Sequence, residues 1–135
     1  MKFRNARFLL VSAAIGGLLS VALGAFGAHA LQSSLTAEQM ATYETAGRYL
    51  IYHSLALLAL SGIVLARPTI NGLGAVGMLW VAGSAVFSGS LYILCLTEIR
   101  WLAWLTPVGG MLLIVGWLRL AIAGCQLGDT GVERH

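Results

Sequence analysis

Charge is scarce in this sequence: Asp, Glu, Lys and Arg together make up 10% of 135 residues, against about 25% in an ordinary soluble domain. So thin a supply of charge, beside so many apolar residues, excludes a disordered, collagenous or nucleic-acid-binding chain. The five acidic residues all stand outside the long apolar runs, so a proton relay of carboxylates or a cation-coupled transport path lacks its usual parts. The two cysteines, Cys95 and Cys125, are too few for a disulfide framework, and no C-x-x-C-H haem-attachment motif is present. The three histidines, His29, His53 and His135, have no metal-ligand spacing. Phosphate-loop, nucleophile-elbow and zinc-protease motifs are missing as well. A conventional soluble-type active site is therefore excluded, and no resident cofactor or metal is expected.

What remains is apolar. Hydrophobic residues make up 59% of the chain, the amount that four membrane spans of about 20 residues would consume. Charge near a bilayer centre costs about 2.5–3.5 kcal/mol on insertion scales, so uncharged runs mark the spans. These runs are 8–37, 49–66, 68–97 and 101–118. Each 18-residue run is about 27 Å as a helix and fits one crossing; each 30-residue run is too short for two. The spans are read as 8–28, 49–66, 70–96 and 102–123, in a single membrane domain covering 1–135. The equal run lengths in the two halves suggest parallel duplication, a pattern known in transporters, but the midplane reads as apolar.

Four spans place both termini on one side. Lys2, Arg4, Arg7, Arg67, Arg119 and Arg134 fall on that side, against Arg48 and Arg100 on the other, which makes the termini cytoplasmic, or matrix-side in an organelle. The net charge of +3 then serves anionic lipid head groups rather than nucleic acid. The basic start and Ala28-His29-Ala30 imitate a signal peptide, but the apolar stretch from Phe8 to Phe26 exceeds the usual 7–15 residues of a signal core. Cleavage is not expected.

Packing is read from small residues. Ser12, Gly16, Ser20, Gly24 and Ala28 recur every four residues along the first span, with Gly77, Ser84, Ser88 and Gly89 in the third and Gly109, Gly110 and Gly116 in the fourth. In lipid such stripes let helix backbones approach closely, within the bundle or between copies of the chain. Between spans one and two, Thr36-Ala37-Glu38-Gln39 fits a capping box. Glu44 and Arg48 follow in the favourable i, i+4 order. These features predict a solvated outer-surface helix over 37–48 that starts at Ala37 and runs into the second span, with a bend at the Gly47 hinge. Arg67-Pro68 should end the second span. Trp101 and Trp104 fit an aromatic belt. Thr106-Pro107 reads as a helix start or as a kink, with irregular backbone nearby. Cys95 and Cys125 fall at opposite membrane faces, too far apart for a disulfide, and read as apolar fillers.

Histidines are the remaining chemistry. His29 and His53 are both expected near the outer face, where they satisfy a backbone carbonyl or a Tyr or Glu neighbour, or else bind haem or a metal on adjacent helices.

Four local patterns together resemble a known family. They are Gly24-Ala25-Phe26-Gly27-Ala28-His29-Ala30-Leu31; Thr45-Ala46-Gly47-Arg48-Tyr49 with Tyr52-His53-Ser54-Leu55-Ala56-Leu57-Leu58; Phe87-Ser88-Gly89-Ser90-Leu91-Tyr92; and Thr106-Pro107-Val108-Gly109-Gly110 with Gly116-Trp117. The chain resembles domain-of-unknown-function family 423, small bacterial inner-membrane proteins with a eukaryotic relative called transmembrane protein 256. The resemblance covers roughly residues 16 to 120. It implies a multi-span inner-membrane protein, and no catalytic residue is carried over because the family has none assigned.

The expected fold is an all-α four-helix membrane bundle. Its polar side chains, His29, Glu44, Arg48, Tyr49, Tyr52, His53, Ser88, Ser90, Tyr92 and Thr106, should converge on the outer end. The leading functional reading is a non-enzymatic membrane component whose polar cluster locks helix ends or binds a small amphiphile. Membrane lipid, a second copy or a membrane-complex subunit are the expected partners. Two other readings are a redox, quinone or haem-linked component using His29 and His53, and a small transporter with a water-accessible path.

Overall fold

A computed structural model describes residues 2–67, 70–97 and 99–125; the expectations placed on Pro68, Arg134 and His135 lie outside these residues. Four helices, α1 (Lys2–Phe26), α2 (Ala37–Ala66), α3 (Leu73–Thr97) and α4 (Leu105–Cys125), run alternately up and down. A π-helical turn, Gly27–Leu31, extends α1, and a 3-10 turn, Arg100–Trp104, precedes α4. All four helices are long and apolar enough to cross a membrane. Residues 32–36 and 99–104 form what is called the loop end below.

The capping box predicts the start of α2 correctly. Gln39 N–H donates to Thr36 Oγ1 at 3.2 Å, and Thr36 N–H donates to Gln39 Oε1 at 2.9 Å. Replacing Thr36 with Ala removes one side of this exchange and should cost about 1 kcal/mol. Faster amide exchange confined to the first turn of α2 would report it; an unchanged first turn would contradict the cap's role.

The helix expected to start at Ala37 and run into the second span is one 30-residue helix, Ala37–Ala66, about 45 Å long. Gly47 is no hinge: its carbonyl accepts from Ser20 Oγ at 3.2 Å. Only one face of the first part of α2 is solvated, with Glu38, Glu44 and Arg48 exposed. Tyr43 and Ala46 are buried and join Leu91, Tyr92 and Cys95 in one apolar cluster. Amphipathic contact with α3 therefore continues through the charged segment. At the other end of the chain's first half, α1 begins at Lys2 rather than near residue 8, because a helix continues through its polar flank where a hydrophobic span stops. The turn into α3 uses Gly72 at φ +87, a left-handed conformation that glycine adopts without steric cost.

Large apolar side chains point outward and small polar ones inward, as lipid solvation allows. Leu18, Val21, Leu55, Met111, Ile114 and Leu118 are exposed, while Ser54, Ser61, Ser84, Ser88 and Ser90 are buried. A second cluster, built on Leu9, Leu57, Leu60, Val76, Trp80 and Leu113, draws on every helix. The small-residue stripes supply the close approaches. A methyl at Gly16 would overlap Ser54 Oγ, and one at Gly109 would stand 2.8 Å from the Phe87 Cα. Trp101 and Trp104 are exposed beside the loop end, in keeping with an aromatic belt. Pro107 lies in the first turn of α4, where its missing N–H costs nothing, and the irregular backbone is the 3-10 turn before it. Cys95 is buried, but Cys125 is exposed and fills no core.

Candidate functional site

The polar residues expected to converge on one end separate into three places. The first is the seam of the loop half. Ser88 Oγ donates to the Ala46 carbonyl at 2.9 Å, Tyr43 OH to the Leu23 carbonyl at 2.7 Å, and Cys95 Sγ to the Gln39 carbonyl at 3.3 Å. Ser90 and Thr106 hydroxyls pair at 2.8 Å, tying α3 to α4. These bonds join neighbouring helices, the use that hydroxyls find between membrane helices.

The second place lies far deeper than expected. His53 is ten residues beyond Tyr43 on α2, about 15 Å along the axis, and is buried. Its Nδ1 stands 2.9 Å from the Tyr49 carbonyl, an acceptor, so Nδ1 carries the proton. Nε2 is then a bare acceptor and receives the Trp117 Nε1–H at 3.1 Å. Trp117 in turn packs on Trp80, their ring centroids 4.5 Å apart. Ser84 Oγ and Trp80 Nε1, on the same stretch of α3, are buried without a partner. The bundle interior expected to be apolar thus holds a polar layer. His53 reads as near the outer face because the span is taken to begin at residue 49, where the charges stop; the packed part of α2 reaches back through Ala46 and Tyr43.

His29 does not join His53. It is exposed in the π-helical turn, whose Gly27 abuts the Tyr43 ring. One metal ion or haem iron cannot bridge that separation, and both His53 ring nitrogens are already committed. Among the described residues no group of three His, Cys, Asp or Glu is placed to hold a metal. Tyr52 points away from the interior and is exposed. Tyr49 lies half over Phe87, with centroids 4.6 Å apart.

The third place is a groove of about 450 Å³ opening sideways between α1 and α2 at the loop end, floored by α3. Ser20, Gly24, Gly27 and Ala28 form one wall; Tyr43, Glu44, Gly47, Arg48 and Ile51 form the other. Tyr92 forms the floor, and it is 8% exposed with its hydroxyl unpartnered. The groove exists because small residues oppose small residues. The α1 stripe packs against α2 at Gly16 and Ser20, but beyond them Gly24 meets nothing within 4 Å. The expected stripe is thus a packing seam in its first half and a groove wall in its second. Glu44 and Arg48 are exposed on that wall, and Arg48 Nη2 lies 3.4 Å from Thr45 Oγ1. The sequence reading missed Gln32, Tyr43 and Gly47 as lining residues, although the facing glycines Gly24 and Gly47, with Arg48 beside them, were the available signal.

The pattern of the family described as protein of unknown function (DUF423) matches residues 23–110. The UPF0382 membrane protein SSP2132 of Staphylococcus saprophyticus is 45% identical over 116 residues, 86% of this chain and 95% of its own length. The UPF0382 membrane protein SAB0533 of Staphylococcus aureus is 42% identical over 117 residues, 87% of this chain and 94% of its own. The UPF0382 inner membrane protein YgdD of Escherichia coli K12 is 39% identical over 131 residues, 97% of this chain and 99% of its own. No solved structure matches. The matched region runs from the groove wall on α1 through the α3–α4 seam, and together with four membrane-length helices it makes this chain a multi-pass inner-membrane protein of the DUF423 family.

Proposed function

We propose that the protein is a non-enzymatic membrane component that holds a single membrane amphiphile in the lateral groove at its loop end. The observation that carries this reading is the Tyr92 hydroxyl, buried in the groove floor with no hydrogen-bond partner. A buried unpaired hydroxyl costs about 1–3 kcal/mol, a cost that a bound acceptor removes. The groove's size supports the reading, since ligand pockets run from about 300 to 1,000 Å³. So do its apolar walls toward the bundle centre and its charged rim. The excess of Lys and Arg at the opposite end turns the groove toward the outer leaflet.

Gly24→Leu tests it. A Cβ at this position meets nothing within 4 Å, so a leucine has open groove space to enter, and losing a helical glycine adds about 0.5–1 kcal/mol of helix stability. The variant should melt no lower than wild type in mild detergent, yet lose the lipid that native mass spectrometry finds on the wild-type protein. Retention of the same lipid by a folded Gly24→Leu protein would defeat the proposal.

A further inference from the structure

The groove's rim carries one charge of each sign, and that pairing narrows its ligand. Glu44 and Arg48 stand one helical turn apart on the same face of α2, and both line the groove. Residues at this spacing have Cβ atoms about 5–6 Å apart. The Arg48 contact with Thr45 uses one nitrogen, and a guanidinium has five N–H donors in a fork that suits phosphate. Gln32, across the opening at the end of the π-helical turn, adds an uncharged amide. A purely anionic head group placed on Arg48 meets the Glu44 carboxylate at the next turn, and a purely cationic one meets Arg48. A head group that carries a phosphate and an amine a few bonds apart satisfies both.

Below the rim the groove turns apolar, past Gly24 and Ile51, with Tyr92 beneath. The Tyr43 hydroxyl is already spent on the Leu23 carbonyl, so among the described residues the free donor on the floor is Tyr92 OH. It stands beside Gly47, where a Cβ would lie 3.2 Å from it, one residue from Arg48. That is the level at which a phospholipid seated by its phosphate brings its glycerol ester carbonyls.

We infer that the groove selects an aminophospholipid: the phosphate pairs with Arg48, the ammonium with Glu44, and an ester carbonyl accepts from Tyr92. The inference rests on the groove being an amphiphile site, as proposed above. Three contacts then divide the work. Arg48 and Glu44 discriminate between head groups, whereas Tyr92 reads a group that all glycerophospholipids share and contributes affinity without selectivity.

The test is a competition in nanodiscs of equimolar phosphatidylethanolamine and phosphatidylglycerol, with bound lipid counted by native mass spectrometry after release. An exposed ion pair corresponds to a preference of about two- to five-fold, so wild type should retain phosphatidylethanolamine over phosphatidylglycerol by that factor. Glu44→Gln should bring the ratio to one or reverse it, because only the amine loses its partner. Tyr92→Phe should reduce retention of both lipids by roughly three- to ten-fold and leave their ratio unchanged. Circular dichroism and melting of each variant confirm that it folds, and the exposed Glu44 makes that variant a safe one. Equal retention of the two lipids by wild type, or a ratio that Glu44→Gln does not move, overturns the aminophospholipid assignment. If Gly24→Leu still abolishes retention in that case, the amphiphile site stands and only its selectivity is wrong. A wild-type protein that retains no lipid overturns both.

Discussion

Replacing Gly109 with Ala is expected to loosen the α3–α4 pair and lower the stability of the protein in detergent by about 1–3 kcal/mol, the usual cost of overpacking a well-fitted contact. The added Cβ meets the Phe87 backbone, with the Cα 2.8 Å away. A flexible side chain could swing aside, but two helix backbones can only move apart as rigid elements. That motion also stretches the Ser90–Thr106 hydroxyl pair, one turn away along the same seam. Gly110 is the matched control. Its Cβ would sit 3.7 Å from the Phe87 ring, an ordinary contact, so Gly110→Ala should be neutral or gain about 0.5–1 kcal/mol of helix propensity. Denaturant titration followed by Trp fluorescence measures both variants. Equal effects at the two glycines would show that backbone proximity at Gly109 is not what holds α4 in place.

A second large effect is expected at the buried imidazole. His53→Leu leaves the Trp117 N–H without an acceptor and the Tyr49 carbonyl without its side-chain donor, beside a buried imidazole whose two partner residues are half-exposed on the outside of the bundle. An orphaned buried group costs about 1–3 kcal/mol, and leucine, close to histidine in volume, keeps a cavity from confounding the result. Trp117→Phe removes the donor from the other side and keeps an aromatic ring against Trp80. In a double-mutant cycle the two changes should be less than additive, with a coupling of roughly 0.6 kcal/mol and at most about 1.7, the range found for hydrogen bonds between membrane helices. Additivity within about 0.3 kcal/mol would mean that Trp117 and His53 do not bond. The same geometry bears on chemistry. An imidazole that donates through Nδ1 and accepts through Nε2 has no free nitrogen for an iron, so it acts as a tie between α2 and α4.

These two sites show unequal legibility in the sequence. Gly109 stood out within a small-residue stripe, and close packing was the expected consequence. The Phe87 backbone opposite it could not be named, because two stripes of similar spacing can mate in several registers. For His53 the residue type was noted and the depth was wrong. The charges at Glu38, Glu44 and Arg48 make 37–48 read as lying outside the bundle, so depth along α2 is counted from residue 49. In the structure those charges sit on one face of α2 while Tyr43 and Ala46 on the opposite face are buried against α3. A charged segment is not outside the bundle when only one of its faces is charged.

Residue order alone was sufficient for the four apolar helices, their alternating direction, the capping box at Thr36 and Gln39, and membership of an inner-membrane class. Each of these follows from local terms: the cost of charge in hydrocarbon, the hydrogen-bonding needs of a helix end, the length of a span. The groove, the paired hydroxyls and the imidazole–indole bond arise between residues 16 to 64 positions or more apart in the chain, and they depend on how far each helix slides along its neighbour. That sliding is set by which small residue meets which large one, Gly16 against Ser54 and Gly109 against Phe87. Where Gly24 found no such partner the helices left a space, and the same spacing that packs the rest of α1 opened a groove onto Tyr92.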